Sequence, residues 1–241
     1  MVHLRGDLMI EERLQEVRSN IEASKAKRDA SFDHDVLLVA VTKNHDIYAM
    51  REAIDAGVTD IGENRIQEAK EKFTGIYESH PEVQLHIIGT LQRNKVKDAV
   101  KIASCIESVD RVELLEEIEK QCAKIGKKIE VFLELHTGEE TKSGFPDFDS
   151  LKNTAELFIQ DKFPHVTLRG LMTMAPFTED KDLIRKSFST LKEAKQKINA
   201  LYPALNLTEL SMGMSNDFEL AVEEGSTIVR IGTSIFGPRV Y

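Results

Sequence analysis

Three groups of residues in this 241-residue chain have the type and placement for chemistry. The first is Lys43, which ends the run Leu37-Leu38-Val39-Ala40-Val41-Thr42-Lys43. A continuous, partly β-branched apolar run of that length suits a strand buried on both faces. A lysine at its end is half-desolvated, which favours the neutral amine and attack on carbonyl carbon. Most lysines are simply solvated, and position alone leaves that reading open. The second group is Ile231-Gly232-Thr233-Ser234. Glycine admits close backbone approach, and amides with a hydroxyl can cradle a phosphate. The same four residues also suit a turn that only closes the fold. Ser211, at the end of the preceding strand, would face the same anion. The third is Arg230, which interrupts Ile228-Val229-Arg230-Ile231. An arginine in a buried strand needs a partner, either a neighbouring carboxylate or a ligand.

The elements that must position these residues alternate along the whole chain. A leading helix is predicted over 8–30, with Leu14, Val17 and Ile21 as its apolar stripe. Strands are predicted over 37–41, 58–61, 83–88, 105–109, 128–135, 166–172, 207–210 and 227–231. Helices follow over 45–56, 66–77, 93–103, from 112, over 148–160, 181–201 and 218–224. Gly57 is placed to stop one helix, Asp110 to cap the next but two, and Ser215 to cap the helix from 218. Eight strand–helix units without a composition break predict an α/β fold. It is a single (β/α)8 TIM-type barrel with an extra N-terminal helix, one domain spanning 1–241. A doubly wound sheet would carry a glycine-rich phosphate turn after its first strand, and this chain has Thr42-Lys43 there. In a barrel, the C-terminal strand ends gather Lys43, Asn64, His86 or Gly89, the His136 loop, Met174, Ser211, Arg230, Gly232 and Thr233 at one mouth.

Charge and cysteine content narrow the partners. A net charge of −9 disfavours nucleic acid and anionic membrane surfaces, which call for a basic face. The two cysteines, Cys105 and Cys122, have neither metal nor redox spacing and read as buried thiols in a reducing compartment. The seven histidines lack ligand spacing, so no metal is expected. Neither a signal-peptide core nor a membrane span is evident, and a cytoplasmic location follows as an expectation.

A desolvated lysine, a phosphate cup and an arginine between them suit pyridoxal 5′-phosphate held as a Schiff base. Seven segments in order carry a family resemblance. They are Val39-Ala40-Val41-Thr42-Lys43, Gly62-Glu63-Asn64-Arg65-Ile66-Gln67-Glu68, His86-Ile87-Ile88-Gly89-Thr90-Leu91-Gln92-Arg93-Asn94-Lys95, Lys142-Ser143-Gly144-Phe145, Leu171-Met172-Thr173-Met174-Ala175-Pro176, Ser211-Met212-Gly213-Met214-Ser215 and Val229-Arg230-Ile231-Gly232-Thr233-Ser234-Ile235-Phe236-Gly237. Together they resemble the YggS/PROSC pyridoxal phosphate homeostasis proteins over nearly the whole chain. Arg65 stands where many relatives have tyrosine, and Arg93 where many have serine.

The resemblance implies that Lys43 forms the Schiff base and that Ser211, Gly232 and Thr233 cup the phosphate. It implies that Arg230 faces the pyridine nitrogen and that Asn64 lies near the cofactor. It also implies a single barrel similar to the N-terminal domain of bacterial alanine racemase. The implied role is a cofactor carrier or regulator in vitamin B6 and amino-acid balance, with apo-enzymes that use the cofactor as recipients and no strong catalysis. An amino-acid racemase using the same Schiff base is the rival. Racemases of this kind add a C-terminal domain that supplies a second acid/base, for which the chain, ending at Tyr241, is not expected to have room. A cofactor-free Schiff-base aldolase would leave Arg230 and the phosphate cup redundant.

Overall fold

The structure is a computed structural model that describes residues 9–138 and 143–238. Eight parallel strands close into one barrel in chain order. They are β1 (Leu37–Val41), β2 (Asp60–Glu63), β3 (Gln84–Ile87), β4 (Cys105–Val109), β5 (Ile129–Glu134), β6 (Val166–Met172), β7 (Glu209–Ser211) and β8 (Ile228–Ile231). The helices are α1 (Ile10–Lys25), α2 (Ile47–Asp55), α3 (Ile66–Tyr77), α4 (Val96–Ile102), α5 (Val112–Ile125), α6 (Phe148–Ile159), α7 (Lys181–Leu201), α8 (Phe218–Glu223) and the single turn α9 (Thr233–Phe236). The predicted (β/α)8 barrel with a leading helix is the fold observed.

Two apolar clusters divide the strands. Val39, Cys105, Phe132, Met172 and Ile228 pack together inside the barrel. Ala40, Ile61, Leu85, Ile87, Ile106, Val131, Leu133, Val229 and Ile231 belong to the larger core between barrel and helices. Side chains alternate along a strand. The inward rows are therefore Val39 and Val41 leading to Lys43, Asp60 and Gly62 leading to Asn64, and Ile228 and Arg230 leading to Gly232.

α1 takes an unusual place for a reason visible in α9. The helix after β8 is only one turn long, which leaves one side of the barrel short of cover. α1 packs against α8, α9 and α2 and fills that place with Leu14, Val17 and Ile21. It stops at Lys25, short of the predicted end. Arg28 turns its guanidinium onto the carbonyls of Val222 and Ser226 instead, both at 2.9 Å. The first predicted residue, Leu8, lies outside the described residues.

Other boundaries shift where a polar residue is buried. β2 runs on through Gly62 and Glu63, which read as loop, because buried Glu63 is neutralised by Lys72 of α3 at 2.6 Å. β7 likewise includes Ser211. The cap of α5 is Arg111 rather than Asp110, whose carboxylate pairs with the Arg111 guanidinium. Gly57 does follow α2, with a φ of 85°.

Candidate functional site at the C-terminal mouth

Lys43 stands just past β1 in a loop fastened from both sides. Lys72, buried on α3, donates to the Thr42 carbonyl at 2.8 Å and to the His45 carbonyl at 3.0 Å. The Thr42 hydroxyl donates to Glu63 at 2.6 Å, and the Asn44 amide to Glu68 at 2.6 Å. Asn44 adopts a φ of 63°, a left-handed conformation that asparagine tolerates. Glu63 and Glu68 also pair with Lys72, at 2.6 and 2.8 Å. The Gly62–Glu68 motif thus contains the acids of a clamp around Lys43. Lys43 itself is partly exposed at the rim.

Asn64 continues the inward row of β2 and is partly exposed. Its backbone is approached closely by Gly89, where any Cβ would lie 2.6 Å from the Asn64 carbonyl oxygen. Only glycine fits at 89 without moving Asn64.

On the other side of Lys43, β8 leads into α9. The register sets Val39 level with Arg230 and Ala40 level with Ile231. Val41 and Gly232 therefore adjoin, and a Cβ on Gly232 would lie 3.1 Å from the Val41 carbonyl oxygen. The rings of His45 and Phe236 pack at 4.9 Å, joining the Lys43 loop to α9. The Gly232 and Ser234 amides both point at the Ser215 hydroxyl, at 3.3 Å each. Ser215 is therefore no helix cap; α8 begins after Asp217. Thr233 is exposed.

Arg230 is 3% exposed. It donates to the Ser211 hydroxyl at 2.6 Å and to the Thr173 carbonyl at 2.8 Å, and it lies 3.8 Å from Glu107. Of the two partners open to it in the sequence, the neighbouring carboxylate is present. Ser211 is fully buried, and its hydroxyl donates to Glu107 at 2.5 Å. The Ser211 hydroxyl, expected in a phosphate cup, is engaged by Glu107 and Arg230, and the hydroxyl that meets the Gly232 and Ser234 amides is that of Ser215.

Asp60, Glu107 and Glu134 line the barrel and escaped the sequence reading, while His86, a candidate for the C-terminal mouth, lies among them inside the barrel. Glu107 is bound by His86 at 2.6 Å, and His86 by Asp60 at 3.0 Å. Burial alone would lower the imidazole pKa, but Cys105, Asp60 and Glu107 raise it well above its ordinary value. Burial would likewise raise Glu107, but His86 and Arg230 hold it below the usual carboxylate range. Glu134 is 1% exposed. One of its oxygens accepts from Ser143 of the Lys142–Phe145 motif at 2.9 Å, and the other finds no partner among the described residues. Burial pushes the Glu134 pKa up. Lys142 lies outside the described residues. His86, Cys105 and Glu107 hold potential metal-ligand atoms within 4.8 Å of one another, a grouping that sequence spacing did not reveal.

The family model described as the alanine racemase N-terminal domain matches residues 13–240. A pyridoxal phosphate homeostasis protein of Aquifex aeolicus is 36% identical over 95% of this chain and 98% of its own length. One from Vibrio cholerae is 35% identical over 96% of this chain and 97% of its own. The chain belongs to the pyridoxal phosphate homeostasis protein family. Within the family's solved structures, PipY of Synechococcus elongatus with PLP bound is 36% identical to this chain. It superposes with a TM-score of 0.82, covering 95% of this chain and all of PipY. An alanine racemase from Clostridium difficile in complex with cycloserine has a TM-score of 0.70 at 17% identity. That likeness covers 93% of this chain and 60% of the racemase and shows the shared fold alone. Among the described residues, no helix of this family member is long and apolar enough to cross a membrane.

Proposed function

We propose that this chain binds pyridoxal 5′-phosphate at the C-terminal mouth and serves intracellular vitamin B6 and amino-acid homeostasis, without strong catalysis of its own. The observation that carries the reading is the register of β1 and β8. It puts the rows ending in Lys43 and Gly232 side by side, with Arg230 below them. The PLP-bound structure of PipY, similar over its whole length, supports the choice of ligand.

The residues present fit that group. The Gly232 and Ser234 amides and the Ser215 hydroxyl already converge, as a phosphate requires, and Thr233 is accessible beside them. Gly232 keeps clear the space that a Cβ would fill against Val41. Lys43 would hold the cofactor, its amine being the group that could form a Schiff base with the aldehyde as water leaves. Asn64 borders the same mouth. Ser211 acts on the cofactor through Arg230 rather than on the phosphate.

Arg230 bears on why the chain is a poor enzyme. Guanidinium stays protonated, so it can only donate to a pyridine nitrogen that carries no proton. A neutral pyridine withdraws electrons less than a pyridinium, so a substrate carbanion would gain less stabilisation. The racemase alternative draws only on a shared fold at 17% identity.

Further parts of the proposal are that residues 1–241 act as one domain, that the site of action is cytoplasmic, and that apo-enzymes receive the cofactor. The buried free thiols Cys105 and Cys122 accord with a reducing compartment.

Purified protein should absorb as a PLP Schiff base, and borohydride should fix one cofactor to Lys43. Lys43→Ala should fold and lose the adduct; a reducible adduct retained in that variant would refute the assignment. Incubation with L-alanine in deuterated water should give slow or no deuterium incorporation. Rapid incorporation with loss of chirality would make the racemase reading the better one.

A further inference from the structure

Glu107 has no exposed surface, and the cofactor reading above gives it no task. Its two carboxylate oxygens face different partners. Oε1 is 2.6 Å from His86 Nδ1. Oε2 accepts from the Ser211 hydroxyl at 2.5 Å and lies 3.8 Å from Arg230 Nη1. The same Ser211 oxygen accepts from Arg230 Nη1 at 2.6 Å. At the other end, His86 Nε2 is 3.0 Å from Asp60 Oδ1. Asp60, His86, Glu107, Ser211 and Arg230 therefore form one hydrogen-bonded line through the barrel.

The line starts at a cavity of about 440 Å³ at the N-terminal mouth, bordered by Asp60, His86 and Cys105. It ends at the guanidinium assigned to the pyridine nitrogen. Two carboxylates, an imidazolium and a guanidinium balance in charge. Both ring nitrogens of His86 face carboxylates, so the imidazolium donates twice; a neutral ring would turn a lone pair on one of them. These contacts also argue against a metal among His86, Cys105 and Glu107. A cation would have to displace a ring hydrogen bond and ionise a thiol that burial pushes up to about 11.

We propose that Glu107 is the positioning residue of Arg230. Through Ser211 it fixes where the guanidinium points, and His86, itself held by Asp60, orients Glu107 from the lower mouth. The pyridine end of the cofactor site is thus set from the opposite end of the barrel. This inference rests on the reading of Arg230 as the partner of the pyridine nitrogen.

The test compares two ligands on the full chain: pyridoxal 5′-phosphate and its analogue with CH in place of the ring nitrogen. Affinity is read from absorbance, and attachment from the mass of the borohydride-reduced protein. Glu107→Gln keeps the side-chain shape and removes the charge. It should weaken pyridoxal 5′-phosphate about tenfold, the effect of misaligning one charge-assisted hydrogen bond, and leave the analogue within about twofold. In an Arg230→Gln background the same change should cost pyridoxal 5′-phosphate no more than about twofold. Equal losses for both ligands, or additive losses with Arg230→Gln, would overturn the inference, since a merely structural role predicts both. If circular dichroism shows Glu107→Gln unfolded, Ser211→Ala takes its place; it keeps every charge and removes only the link. Wild type that attaches neither ligand to Lys43 would defeat the cofactor reading and this inference with it. Wild type that attaches both, with variants that do not tell them apart, would defeat this inference alone.

Discussion

Lys72 donates to the backbone carbonyl of Thr42, the residue immediately before Lys43, at 2.8 Å. The same ammonium reaches the carbonyl of His45, two residues past Lys43, at 3.0 Å. A lysine on one helix thus ties down both flanks of Lys43. The clamp is charged and buried: the Lys72 side chain is 9% exposed and that of Glu63 is not exposed at all.

Lys72→Met should therefore act on both stability and binding. Removing one partner of a buried pair leaves Glu63 uncompensated and should destabilise by about 3–5 kcal/mol in urea unfolding. Adding Glu63→Gln should restore part of that loss. Pyridoxal 5′-phosphate affinity should stay reduced in the double variant, because the Lys43 loop is still released. Affinity that returns together with stability would mean that the clamp does not position Lys43.

The phosphate cup makes a prediction about which ligand notices a change. Thr233→Ala and Ser215→Ala should each weaken pyridoxal 5′-phosphate by about 1.5–3 kcal/mol, the range for hydrogen bonds to a charged group. Pyridoxal, which lacks the phosphate, should bind wild type and variants alike. Equal weakening of both ligands in calorimetry would place the cup elsewhere.

The buried line through the barrel should shape the pH dependence of stability. His86 has a raised pKa in the fold, so its contribution is complete below its ordinary 6.5 and fades as pH climbs through the raised value. Glu107 has a lowered pKa, so its contribution is complete above its ordinary 4.5 and fades as pH falls through the lowered value. The pair is fully effective between those two ordinary values. Wild type should lose stability as pH rises above 6.5, and His86→Gln should show a flatter alkaline limb in urea midpoints. Parallel limbs would show that His86 binds no extra proton on folding.

Both cysteines should be inert in the folded protein. Cys105 and Cys122 are buried, and burial pushes each thiol up to about 11. The thiolate is the reactive form, so an aromatic disulfide reagent near neutral pH should titrate neither until denaturant is added. Prompt reaction of one thiol in the native protein would point to opening of its surroundings.

The sequence by itself determined the barrel and three of its mouth residues. Strands buried on both faces read as apolar runs, so Lys43, Arg230 and Gly232 stood out as interruptions at their ends. The leading helix declared itself through the stripe Leu14, Val17 and Ile21, which is buried as expected. The place of α1 beside the one-turn α9 did not, because it depends on how much cover the last strand lacks. Nor did the inward row that Glu107 and His86 occupy. β3 and β4 carry these polar residues openly, as Gln84-Leu85-His86-Ile87 and Cys105-Ile106-Glu107-Ser108-Val109, but their sequences do not say which partners the closed barrel brings to them. The different partners of Ser211 and Ser215 were equally hidden. Both are serines near a strand end, and only barrel closure put Glu107 and Arg230 against the first and the Gly232 and Ser234 amides against the second. Contacts between residues so distant in sequence, such as Glu107 and Ser211, exist only once the whole ring of strands has closed.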